Sequence, residues 1–229
     1  MRVSGSAEAV ITSPVARGQK INIEFYDCGN KLVGIWRSMD RSEGRSLSAR
    51  EDLELTETGW SRYRLTRANV DQDFLVIRRL TTVDIESRSQ KGVKHSSLKV
   101  PVGVLVGPQL ALYLEQHLSH LKLGRVLEFN YLVPDREMVV GFRAKFSGWG
   151  AEGRTNVHID AASTLLRPFV PNIDLAFDAQ GRFIAMNGRL LNQAGSSRKP
   201  EPLDGSLKIV QSGLPSHLLT LNCNTAGVN

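Results

Sequence analysis

From residue 21 onward the chain alternates apolar and polar side chains in short runs, with Gly, Asn and Asp between the runs. A strand turns successive side chains to opposite faces, so this period commits the chain to half-buried β-structure. Ile21, Ile23 and Phe25 alternate with Asn22, Glu24 and Tyr26, Asp27-Cys28-Gly29-Asn30 supplies a turn, and Leu32 to Met39 resumes the extended pattern. That is a hairpin. A second pair joins Glu51–Thr56 to Trp60–Thr66 across Glu57-Thr58-Gly59, where the glycine can take the positive φ of a tight connection. Asp73–Thr82 and Val83–Ser87 continue the meander.

One helix interrupts it. Gly107-Pro108 sets a proline at a first helical position, Leu110, Leu114, His117, Leu118 and Leu121 recur at spacings of three and four, and Gly124 stops the helix. Strands return at Arg125–Val133, Met138–Phe146, Arg154–Ala161 and Ile173–Phe177, and the last turns through Asp178-Ala179-Gln180-Gly181 into Arg182–Asn187. A final strand is expected near Leu207–Gln211. Residues 1–18 read as a flexible N-terminus, and 195–205, rich in Ser, Pro and Lys, as a loop. No composition shift divides residues 1–229, so a single domain is expected. About ten antiparallel strands with one central helix make a mainly β fold: a strongly curved sheet, or open half-barrel, with the amphipathic helix over its concave face.

Composition sets the outer limits. With 229 residues, 41% of them hydrophobic, the chain can bury one sizeable core, and no apolar run approaches the roughly 18 residues of a membrane-spanning helix. The excess of 29 Lys and Arg over 23 Asp and Glu is spread along the chain, whereas phosphate binding wants clustered cations, so no nucleic-acid partner is expected. Cys28 and Cys223 form no CxxC; they could pair in an oxidising compartment if the terminal strands lie side by side, or stay as two thiols. The N-terminal residues hold no apolar signal core, which fits a cytoplasmic protein or an exported one whose first codons were replaced.

Gly148-Trp149-Gly150-Ala151-Glu152-Gly153 matches G-x-G-x-x-G, but Arg154 to Ile159 then alternate like a strand where a dinucleotide site needs a helix. A wide hairpin loop is the better reading. His117 and His120 lie three apart on the helix with no third ligand, so no metal and no cofactor is expected. His158 and Asp160 share a strand face, where a carboxylate could orient an imidazole; with Arg143 they are the residues a cofactor-free cyclase or isomerase would use. Asp174, Asp178, Asp135 and Glu137 read as strand-end and turn acids. Trp36, Trp60, Tyr63, Phe129, Tyr131, Phe142 and Phe146 fall in strands, and a curved sheet needs something to fill its hollow. The expected ligand site is therefore Trp36, Tyr63, Leu114, Leu118, Phe129, Tyr131, Phe142 and Phe146, taking a hydrophobic or amphipathic small molecule such as a lipid. An exposed sheet edge offers a further surface for a partner protein.

The order Gly107-Pro108, amphipathic helix, Leu123-Gly124, Leu127 to Arg136, Val140-Gly141-Phe142-Arg143, then Pro171 to Asp178 and Gly188 resembles a group of uncharacterised bacterial proteins, many made with export signals. The arrangement looks like the half-barrel of lipoprotein carriers of the LolA kind. That resemblance implies non-catalytic binding of a lipid or acyl chain in the periplasm or cell envelope.

Overall fold

The computed structural model describes residues 5–14, 17–27, 29–38, 48–168, 170–196 and 199–212. Its strands are β1 (Gly5–Ile11), β2 (Lys20–Asp27), β3 (Lys31–Ser38), β4 (Ser48–Thr56), β5 (Gly59–Arg67), β6 (Gln72–Arg79), β7 (Thr82–Ser89) and β8 (Gly92–Lys99). After the helix α1 (Gln109–Lys122) come β9 (Leu127–Val133), β10 (Met138–Trp149), β11 (Thr155–Ala161), β12 (Ile173–Phe177), β13 (Phe183–Ser196) and β14 (Lys199–Ser212). All fourteen join one antiparallel sheet in the order β8-β7-β6-β5-β4-β3-β2-β1-β14-β13-β12-β11-β10-β9. The mainly β fold with one helix is as the alternation dictates, and the sheet stays unclosed, with β8 and β9 as its edges.

Two expectations are corrected. The flexible N-terminus gives way to β1, whose Ala7, Ala9 and Ile11 face inward and are fully covered, paired to β2 on one side and β14 on the other. Small side chains gave this run a weak apolar signal, yet neighbours on both edges satisfy its backbone and bury it. The 195–205 loop gives way to the long hairpin β13–β14, with Gly195 opposite Pro200 and Gln193 opposite Pro202. These prolines fit because β1 reaches β14 only from Gly205 on, so this part of β14 is paired through β13 alone. Cys28 and Cys223 lie outside the described residues.

The buried face holds three apolar clusters. Ala9, Ile21, Ile23, Trp36 and Leu207 form the first, around the β1–β14 seam, and Leu53, Trp60, Tyr63, Phe74, Val76 and Leu132 the second. Helix α1 makes the third, with Leu114, Leu118 and Leu121 among Phe129, Phe142, Ile159, Leu175 and Phe177. Pro108, with φ −69°, opens the helix, and Gly124, with φ +77°, closes it by donating to the Leu121 carbonyl. A polar tie adds to the packing: Glu115 Oε1 accepts the Phe183 N–H at 2.7 Å, fixing the helix to the start of β13.

The two ends of the sheet curl toward each other. Leu132 and Val139, on the side of β9–β10 away from Phe129 and Phe142, pack into the second cluster. Residues 100–108 run between, with Leu105 exchanging backbone hydrogen bonds with Asn130 and Leu132, and the Trp60 indole N–H donating to the Val104 carbonyl at 2.8 Å. Arg67 Nη1 meets Asp135 at 3.2 Å, and Lys94 Nζ meets Glu137 at 2.8 Å.

Candidate functional site

Two places on the inner face gather chemistry. The first was not legible as a motif. On β4 the inward register runs Ala49, Glu51, Leu53, so a carboxylate stands where the period calls for an apolar side chain. Glu51 is 3% exposed, and its Oε2 accepts the Tyr63 hydroxyl at 3.2 Å. The Trp36 indole N–H also faces it, outside good hydrogen-bonding geometry. Burial pushes the Glu51 carboxyl up to about 7, against the pull of the Tyr63 and Trp36 donors. Tyr63 is raised well above the ordinary phenol range by burial and by the Glu51 charge, so at neutral pH it is a donor.

Glycine makes the room. Gly34 lies opposite Glu51, and a Cβ there would stand 3.0 Å from Glu51 Cγ. At Gly107, φ +52°, a Cβ would stand 2.5 Å from the Tyr63 ring and 3.0 Å from Glu51 Oε2. The Gly107 carbonyl accepts the Tyr131 hydroxyl at 3.3 Å, and burial raises the Tyr131 phenol as well. Tyr131 thus holds the residue that leads into α1, Tyr63 and Glu51 pack close against it, and burial keeps the carboxyl protonated to higher pH than an exposed one.

The second place is the seam between α1 and the sheet. Phe129 stacks on Phe142 with centroids 5.8 Å apart, Tyr131 meets the edge of Phe142 at 6.3 Å, and Tyr113 of the helix lies 5.8 Å from Phe129. Leu114 and Leu118 belong to the same buried cluster. Of the eight expected ligand residues, the seam gathers Leu114, Leu118, Phe129, Tyr131 and Phe142. Trp36 belongs to the first cluster and Tyr63 to the second, while Phe146 pairs with Trp149 at the end of β10. Tyr113, missed among the strand aromatics, was detectable from its position on the helix one residue before Leu114.

The catalytic candidates are not arranged as expected. His158 Nδ1 lies 2.7 Å from Asp174, its partner across β11–β12, and not against Asp160. Asp160 is taken up by Arg143 at 3.2 Å and by Lys145 and Arg167 at 3.7 Å, on the side of β10–β11 away from the helix. The reason is register: neighbours across antiparallel strands stand closer than residues two apart on one strand. Among the described residues no group of three His, Cys, Asp or Glu could hold a metal ion. Gly148 and Trp149 end β10, paired to β11, and residues 150–154 form the connection, with a 3-10 turn at Ala151–Gly153, as the hairpin reading requires. No helix of the described residues is long and apolar enough to cross a membrane.

No family model matches the chain, and no curated protein matches it. A solved structure does: the beta-barrel-like protein of a domain of unknown function, DUF1849, from Brucella abortus, with a TM-score of 0.59 over 93% of this chain and 98% of that chain. Identity is 9%, so the likeness is one of fold alone: a beta-barrel-like arrangement recurs in a bacterial protein of unknown function at very low sequence identity.

Proposed function

We propose that the chain, acting as one domain over 1–229, binds a hydrophobic or amphipathic molecule such as an acyl chain at the seam between α1 and β9–β12, without transforming it, and that it works in the bacterial envelope. One observation carries the proposal. Among the described residues, the third cluster is rimmed by ten partly covered apolar side chains, Leu110, Tyr113, Leu127, Tyr131, Leu166 and Ile173 among them, while each of the other clusters has four. Incompletely buried apolar surface therefore gathers where the helix lies, and it is the surface an apolar ligand would cover. Tyr113, lying over Phe129, is the side chain an acyl chain would displace on entry. Each buried methylene contributes about 0.8 kcal/mol, so a fatty acid needs little polar recognition. The envelope assignment, and the likeness to lipoprotein carriers of the LolA kind, rest on the resemblance of the Gly107–Gly188 pattern to exported bacterial proteins.

Native mass spectrometry of the gently purified protein is expected to show a lipid adduct. A fatty acid at a hundredfold excess over its Kd is expected to stabilise the fold by about 2.7 kcal/mol in thermal melts. A clean apo mass together with an unchanged melt across a series of chain lengths overturns the proposal.

A further inference from the structure

Large apolar side chains are exposed at several places, and at one they gather beside cations. Leu123, 73% exposed, and Val126, 48% exposed, occupy the chain between α1 and β9, and Trp149, 62% exposed, ends β10. The register brings them together: β9 pairs with β10 only as far as Leu127 opposite Ala144, so residues 145–149 overhang beside the chain that leaves the helix. Lys122 Nζ stands 5.5 Å from the centre of the Trp149 ring, which joins the helix end to the overhang directly, and Phe146 meets Trp149 at 5.3 Å. Lys122 and the exposed Arg125 supply positive charge at this end, while Arg154 is paired with Glu152 at 3.2 Å.

We infer that this end of the molecule, built from Trp149, Leu123, Val126, Lys122 and Arg125, docks on the surface of a negatively charged lipid bilayer. The chemistry selects that occupant. Tryptophan favours the boundary between head groups and acyl chains, where its ring is covered and its N–H stays wet, and Leu and Val add shallow apolar contacts. A lysine held over the indole lays its stem along apolar surface and its ammonium at the level of lipid phosphates. Anionic lipids supply the complementary charge, and the net +6 of the chain adds long-range attraction. An apolar protein partner would have no use for this pairing of Trp149 with Lys122. The inference goes beyond the acyl-chain reading and does not depend on it.

The protein carries its own reporter. Of its three tryptophans, Trp36 and Trp60 are 5% and 2% exposed, so brominated lipid should quench only Trp149. The full chain is expected to float with phosphatidylglycerol vesicles and not with phosphatidylcholine vesicles, with Trp149 emission shifted to the blue and quenched by brominated phosphatidylglycerol. Lys122→Ser and Arg125→Ser should each weaken binding about five-fold, and added salt should weaken it further. Trp149→Ser should weaken it on the order of tenfold with circular dichroism and melting temperature unchanged, since the side chain is exposed. Equal binding of Trp149→Ser and wild type, equal binding to both lipids, or a Trp149 blue shift that follows protein concentration without vesicles, the mark of a second copy, would overturn the inference. Fatty-acid binding by Trp149→Ser should match the wild type, so failure at the bilayer and failure at the seam are read separately.

Discussion

Glu51 shows how much one inward carboxyl can weigh. Its pKa is raised from 4.5 to about 7, so between those values the native state binds a proton that the unfolded chain has released. Stability from this group is therefore complete below about pH 4.5 and is lost as pH rises toward 7, by about 3 kcal/mol in all. Glu51→Gln keeps the shape and removes the titration. In urea melts the variant is expected to gain on the wild type steadily between those pH values, and parallel stability curves would show that Glu51 does not titrate there. The sequence displayed the alternation of Ala49 and Leu53 plainly, and extending it by parity puts Glu51 inside. Tyr63 and Trp36 reach that carboxyl diagonally from the paired strands β5 and β3; what the sequence could not display is that Gly107, from beyond β8, closes over it, because only the curl of the sheet brings that segment there.

At the scale of elements, legibility followed the strength of the period. Helix α1 and β4, β5, β10 and β11 were plain because their apolar residues recur at the right spacing. β8 was missed because its side chains are almost all exposed and no face is dry. β1 and the start of β14 were missed because small residues and prolines carry little apolar signal, and pairing supplies what propensity lacks. The helix offers the sharpest test of its own packing. Leu118 is 4% exposed, within the cluster that holds Phe129 and Phe142, and its Cδ2 lies against Gly181 of the β12–β13 turn. Leu118→Ala is expected to cost on the order of 2–5 kcal/mol, read as a lower denaturation midpoint. If an acyl chain occupies the seam, the same variant should recover part of that loss on adding a longer fatty acid, and a loss that no fatty acid reduces points to plain core.

On the scale of the whole molecule, the open sheet is held in its curl by contacts from end to end. The Arg67 guanidinium is 6% exposed and leans on Asp135 of the β9–β10 turn. Asp135→Ala should cost about 2–3 kcal/mol by leaving a nearly buried cation short of its anion, and a stability within error of wild type would show that the ends hold without it. The pairing of β1 with β14 has another kind of consequence, kinetic and genetic. With Gly5 opposite Ser212, the earliest and latest described strands are immediate neighbours in the middle of the sheet, while β8 and β9, neighbours in the gene, are its two edges. The chain must thus close a loop of some two hundred residues before β1 finds its second partner, a slow entropic search. A circular permutant with a short linker from Ser212 to Gly5, and new ends in the exposed turn at Pro101–Gly103, would make every pair of adjacent strands consecutive. It is expected to keep the fold and to refold faster than the natural order in stopped-flow experiments, and equal refolding rates would show that closing this seam is not the slow step.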